Sequence, residues 1–550
     1  MGVGIVIVLL VLRASGRQTT VTDLATASRR FAVYLIWFVA FVVGVEGLRR
    51  LLDLVLIQSR FVAHRSLPIA SAASLALVGG AVWIGLRVFV DRRLAEDPTE
   101  RSGLGWMLYL TAALAVAVSA AVASAVEVLA GLLSGVVAGR GFAGVVAWGF
   151  AWFVHGRWGR DPERQPALLP EAPALVGSLV GLVAWAVGAG ILLTVVYEAA
   201  VEALVGTTIA VGGGTHVWKG VALVAVGGTV WGYHWFGLGA VGDVDRPTWL
   251  AYVLLGPVLV STGVVLVAGA LVLFQLLVWF VGDPGTATAV EHFGSLPGRL
   301  AAVTVAAVIW IHHRLVLRRR SMDRREPDRV YDYLLAGAGL AAFAVGLWRL
   351  LDAGLPPAEL VLTGGGSINQ VLGAVTALLV GGAVWWFHWR RCEAARIDPA
   401  EVASPSRRVY LVAVLAVAGT MGFVAAIGIV RGVFVALLGG GLAWAVLRGA
   451  LVSALTAVVI GGYHLQVWRA DRRRGVATPV GVRELVLVAT NAVEAAAALR
   501  RLVDARVRPM VAATGPPVDP DRIAAALDGV EARRVLVVAV DGEPELVELR

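Results

Sequence analysis

Gly381-Gly382-Ala383-Val384-Trp385-Trp386-Phe387-His388-Trp389-Arg390-Arg391 closes an apolar run that begins near residue 370. An apolar run of about 20 residues crosses the ~30 Å hydrocarbon core of a bilayer as a helix. Small residues let a neighbouring backbone come close, Trp and His suit the membrane–water interface, and the two Arg mark a cytoplasmic end. The same ending recurs along the chain. Gly79-Gly80-Ala81-Val82-Trp83, Gly227-Gly228-Thr229-Val230-Trp231 and Ala306-Ala307-Val308-Ile309-Trp310 repeat it, and Trp148-Gly149-Phe150-Ala151-Trp152 is a looser copy. A His follows three residues after four of the five Trp, at His155, His234, His313 and His388, and His464 stands at the corresponding place in the last apolar run. Leu86 replaces the His of the first copy and Gly461 the Trp of the last.

Working outward, twelve apolar runs read as membrane spans, near 31–50, 67–90, 104–127, 141–157, 173–197, 217–237, 249–281, 298–318, 331–351, 370–391, 408–430 and 449–468. The fourth is short and opens on Arg140; the seventh is long enough to tilt. The motif closes every even run, so the chain reads as six tandem two-helix repeats, at 29–100, 101–171, 172–247, 248–328, 329–405 and 406–475. Each pair of spans returns to its starting side, so all six have one orientation, related by rotation about an axis near the membrane normal. Several odd spans start with a basic residue and an aromatic: Arg30 with Tyr34, Arg329 with Tyr331, Arg408 with Tyr410.

The composition agrees. Of 550 residues 58% are hydrophobic and 15% charged, and the mean hydropathy of +0.80 is too high for a water-soluble globule. The net charge of +9 is not gathered on one helix or one polar domain, which excludes nucleic acid as a partner class. Lys and Arg concentrate after the even spans, placing both termini on the cytoplasmic side. Cys392, the only Cys, cannot form an internal disulfide and reads as a bystander. Residues 1–28 form a separate N-terminal segment; 1–12 are apolar but too short to span, and their charges follow the run, the wrong order for a signal peptide. An interfacial segment, a strand of a cytosolic unit and a misplaced start codon all remain open there.

After Gly475 the pattern becomes soluble, and 476–550 reads as a small α/β domain on the cytosolic side. Residues 484–490, 534–540 and 545–549 read as strands, with helices over 491–506 and 521–527. At that size it is marginal alone, which suits a docking or oligomerisation module for a cytosolic partner or a second copy.

The tandem hairpins, the basic-aromatic starts and the ending around Trp385 to Arg390 together resemble a bacterial membrane family known as domain of unknown function 5671, over roughly 29–475. The resemblance implies a bacterial multi-pass protein of the plasma membrane and carries no activity or catalytic residue. The expected fold class is therefore an all-α polytopic membrane protein of about twelve transmembrane helices in six tandem two-helix repeats, with a small C-terminal α/β domain.

Two sets of residues are candidates for function. The repeated motif supplies Trp152, His155, Trp231, His234, Trp310, His313, Trp385, His388 and His464, which read first as packing and interfacial anchoring. Convergence of the imidazoles on a haem or metal, or a pH-sensing role, is the alternative reading of that set. A polar cluster at the external ends of odd spans, Glu46, Arg49, Glu127, Glu198, Arg349 and Arg431, reads as local ion pairing, with an external ligand vestibule as its alternative. No phosphate-binding loop, zinc signature or nucleophile elbow is present, and Lys219 is the only Lys. No cofactor, metal or catalytic residue is expected, and the bilayer is the expected partner. A non-enzymatic scaffold or sensor is the leading expectation, a permease or channel with a path between repeats the second, and a haem or metal redox protein the third.

Overall fold

The computed structural model describes residues 21–56, 66–136, 139–205, 215–238, 247–318 except 287, 326–355, 368–438, 444–474 and most of 482–549. Residues 1–12 and the glycine-rich connection at 364–366, whose bland sequence reads as an external loop, lie outside them. Two compact units divide the chain, residues 1–391 and 392–550.

The first unit is helical. Helices α1 (Val21–Leu56), α2 (Ser66–Glu96), α3 (Leu104–Leu133), α4 (Gly139–Trp158), α5 (Ala172–Val205) and α6 (Thr215–Gly232) form three hairpins, with α1 on α2, α3 on α4 and α5 on α6. They are followed by α7 (Pro247–Val253), α8 (Leu259–Val281), α9 (Leu296–Arg318), α10 (Glu326–Gly354) and α11 (Ile368–Ala394), which crosses the unit boundary. A second set of contacts runs between hairpins: α1 also packs on α4, α3 on α6 and α5 on α9.

Proline explains the one break in the long seventh span. Pro257 has no N–H to donate, and a π-helical turn over Leu254–Val258 joins α7 to α8. Ser261 and Thr262 donate to the carbonyls of Pro257 and Val258 in the next turn. A second π turn, Tyr233–Gly237, ends α6 at the motif itself and carries His234.

Ten helical segments among the described residues are long and apolar enough to cross a membrane. The other two expected spans are the short helices α4, which carries Arg140 and Arg157, and α6 with its π turn. The helical class read from the sequence therefore holds, with twelve helical segments among the described residues at the twelve expected places.

In the second unit, α12 (Pro405–Leu437) packs on α13 (Trp444–Arg474). Arg407, fully buried at the start of α12, donates to both Asp471 oxygens at 2.7 and 3.2 Å and to Glu393 at 2.8 Å. The rest is a four-stranded sheet of order β2-β1-β3-β4, formed by β1 (Glu484–Ala489), β2 (Arg506–Val511), β3 (Arg534–Val540) and β4 (Glu543–Leu549). β1 is parallel to β2 and β3, and β4 returns antiparallel to β3. Leu485, Leu487, Val535 and Val537 alternate inward against α14 (Ala492–Leu502) and α15 (Pro520–Ala526).

The helix expected over 491–506 is corrected here: it stops at Leu502, and 506–511 is a strand. Pro509 and two Arg disguise it, and both are tolerated because β2 lies at the sheet edge.

Candidate functional site

The paired small residues of the motif have a measurable role. A Cβ built on Gly79 would collide with the backbone of Gly44, and one on Gly381 with that of Ala342 and Phe343, whereas one on Gly80 would meet nothing. The first Gly of the pair is thus where the two helices of a hairpin touch.

The imidazoles are interior groups. His155, His234, His313, His388 and His464 are each at most 5% exposed. Four of them use one local bond. Nδ1 lies 2.8–2.9 Å from the carbonyl four residues earlier, at Ala151, Val230, Ile309 and Ile460. A carbonyl only accepts, so Nδ1 carries the proton and Nε2 is left as the acceptor. Tyr109 supplies the donor for His155 at 3.1 Å and Tyr410 that for His464 at 3.2 Å. His388 differs: its Nδ1 is 2.9 Å from the buried carboxylate of Asp332.

The Trp of one even helix reaches the following hairpin. Trp83 on α2 donates to the Tyr109 hydroxyl on α3 at 3.0 Å, so Trp83, Tyr109 and His155 form one chain of hydrogen bonds. Trp37 stacks on Tyr109 with ring centres 3.9 Å apart and donates to the Trp83 carbonyl. Trp310 on α9 likewise packs into the cluster around Tyr331 of α10, and the Tyr331 ring meets His388 at 5.6 Å. Trp152 stacks on His234 at 5.6 Å and Trp231 meets His312 at 5.3 Å. In the hairpin of His234 the imidazole fills the space beside Gly177, since a Cβ there would strike the ring. Trp385 packs against Phe343 at 5.8 Å.

Beside Trp152 and His234 opens a cavity of about 1360 Å³ between α3, α4, α6 and the connection from α4 to α5. Its lining is apolar along the helices and polar at one end, where Arg160, Gln165, Glu171, Tyr233 and His234 gather. Arg160 donates to the Tyr233 hydroxyl at 2.7 Å and to the Gly156 carbonyl at 3.0 Å.

Of the expected external polar residues, Glu46, Arg49 and Glu127 come together. Glu46 and Arg49 pair at 2.8 Å, with Arg50 on the same carboxylate, and Asp53 and Glu127 act on Arg49 from nearby. Arg140 reaches Asp53 at 3.5 Å. Glu198 is half-buried on α5, Arg349 is exposed on α10 and Arg431 is exposed on α12, and none of the three has an ion pair among the described residues. Helical spacing joins Glu46 to Arg49, which do pair, and Arg349 to Asp352, three residues apart, where no ion pair to Arg349 is found among the described residues. Among the described residues no three His, Cys, Asp or Glu side chains gather as metal ligands would.

Sequence reasoning named Tyr331 and Tyr410 but missed Tyr109, Asp332, Gly177 and the cavity's polar end. Tyr109 stands 46 residues before His155, and its alignment with Tyr331 and Tyr410 was the available signal.

Neither the curated proteins nor the solved structures contain a match to the chain. Residues 329–463, which run from α10 into α13 and so cover less than the 29–475 read from the sequence, match the family model described as Domain of unknown function (DUF5671).

Proposed function

We propose that this chain is a non-enzymatic scaffold or sensor in the plasma membrane of a bacterium, built from six tandem hairpins inserted with one polarity and both termini on the cytoplasmic side. The observation that carries this reading is the hydrogen-bonded chain from Trp83 through Tyr109 to His155, which binds one hairpin to the next with the motif's own residues. The contacts of Trp152 with His234, of Trp231 with His312 and of Trp310 with the cluster around Tyr331 have the same direction, from one hairpin to its successor. So do the contacts of α1 with α4, α3 with α6 and α5 with α9. Repeats of one orientation have this regularity; alternating orientations do not.

The two departures from the motif support an open series. Leu86 replaces the His of the first copy and Gly461 replaces the Trp of the last. The outermost repeats of stacked arrays are commonly atypical. Imidazoles engaged in such ties serve assembly rather than a translocation path. In sealed proteoliposomes holding a salt or proton gradient, the expected result is a decay no faster than in protein-free vesicles. Protein-dependent dissipation of either gradient would reject the scaffold reading for the permease class.

A further inference from the structure

We propose that the cavity between α3, α4 and α6 is a binding slot for a single phospholipid whose headgroup carries hydroxyls, with the tail along the helices and the phosphate at Arg160. This goes beyond the scaffold reading and does not depend on it.

The shape argues for an elongated amphiphile. Lining residues on α3 run from Leu114 to Leu129, which at 1.5 Å per residue is about 22 Å, longer than the ~15 Å half-thickness of a bilayer core. On the antiparallel α4 they run from Val145 to Gly156, and on α6 from Ala225 through the π turn. Val122, Ala125, Leu129, Val145, Gly149 and Val226 make the far end wholly apolar. A Cβ on Gly149 would meet nothing within 4 Å, so the slot is open space along that face.

The polar end fits a headgroup. Arg160 uses two of its nitrogens on Tyr233 and Gly156, and the third has no hydrogen bond among the described residues. A guanidinium held in place with a remaining donor edge suits a phosphate oxygen. His234 closes the same end with its ring, its Nε2 turned onto Gly177 of α5, so a headgroup hydroxyl has the carboxylate of Glu171 as its acceptor. Glu171 lines the same end and disfavours a bare anion, which selects a lipid with hydroxyl donors over free phosphate. The length of the slot and its single polar end are what a soluble metabolite would not need.

Native mass spectrometry of the full-length protein, exchanged into phosphatidylglycerol, tests the assignment. The wild type is expected to retain one phosphatidylglycerol in preference to phosphatidylcholine. Gly149→Phe, whose Cβ meets nothing within 4 Å, is expected to lose it, and Arg160→Gln to hold it about tenfold more weakly. Excess inorganic phosphate should not displace it. Equal retention by Gly149→Phe would overturn the slot. Unchanged affinity in Arg160→Gln, or displacement by phosphate, would overturn the headgroup placement, and equal retention of phosphatidylcholine would overturn the hydroxyl preference. Circular dichroism spectra and melting curves matching the wild type certify that each variant is folded; if Gly149→Phe does not fold, Ala125→Phe takes its place at the same apolar end.

Discussion

Tyr109 is bonded on both sides of its hydroxyl, receiving the N–H of the half-buried Trp83 indole and donating to the buried His155. Tyr109→Phe keeps the ring stacked on Trp37 but leaves a half-buried donor and a buried acceptor without partners, a cost of about 1–3 kcal/mol. A lowered thermal midpoint in detergent is the expected readout; an unchanged one would mean that the chain of bonds contributes nothing to stability. Arg407 makes a stronger case. Its guanidinium is shared by Asp471 and Glu393, and Arg396 pairs with both carboxylates as well, so Arg407→Ala removes the fully buried cation but leaves each carboxylate one partner and is expected to cost about 1.5–3 kcal/mol, while Arg408→Ala, at an exposed neighbour, should stay within about 0.5. The Trp and His positions were legible because they recur at fixed spacing on single helices. Their partners were not, since Asp332 lies 56 residues from His388 and only the packing of two helices brings them together.

Hairpins turn on the small residues of the motif, and a minimal pair of substitutions separates their roles. Gly79→Val places side-chain atoms into the backbone of α1 at Gly44 and should weaken the first hairpin by several kcal/mol, whereas Gly80→Ala meets nothing and should stabilise α2 by roughly 0.5–1 kcal/mol. Equal thermal shifts for the two would sink this account of the motif. Between α2 and α3, Asp97 caps a short 3-10 turn: it accepts from the Thr99 hydroxyl and amide, with Arg30 3.2 Å away, and those bonds hold its carboxyl below the usual carboxylate range. A depressed folded pKa stabilises above the ordinary carboxylate value and ceases to do so as the pH falls through the folded one. Amide exchange at residues 98–103 should therefore speed up on acidification, and Asp97→Asn should remove most of that pH dependence. Spans were readable from apolar length alone. The edge strand β2 was not, because its partner strand, rather than its own alternation, makes it a strand.

At the scale of the molecule, orientation is the quantity to measure. Cys392 is buried, so the native chain offers a quiet background for thiol labelling. Single cysteines at Glu96 and Glu163, exposed after α2 and α4, should be shielded from an impermeant maleimide in intact cells, and one at Val136, after α3, should react. Opposite behaviour of Glu96→Cys and Glu163→Cys would end the single-polarity reading. The apolar runs and loop charges carried the helical class and the twelve places, while the order of neighbours came from contacts far apart in the chain.

The Trp-to-Tyr-to-His hand-off also constrains how such a protein can change size. A copy appended beyond the final helix would find no indole waiting for it, and one placed before the first would present its indole to a leucine. Growth or loss of whole modules is thus tolerated from the second hairpin to the fourth, each of which both gives and receives.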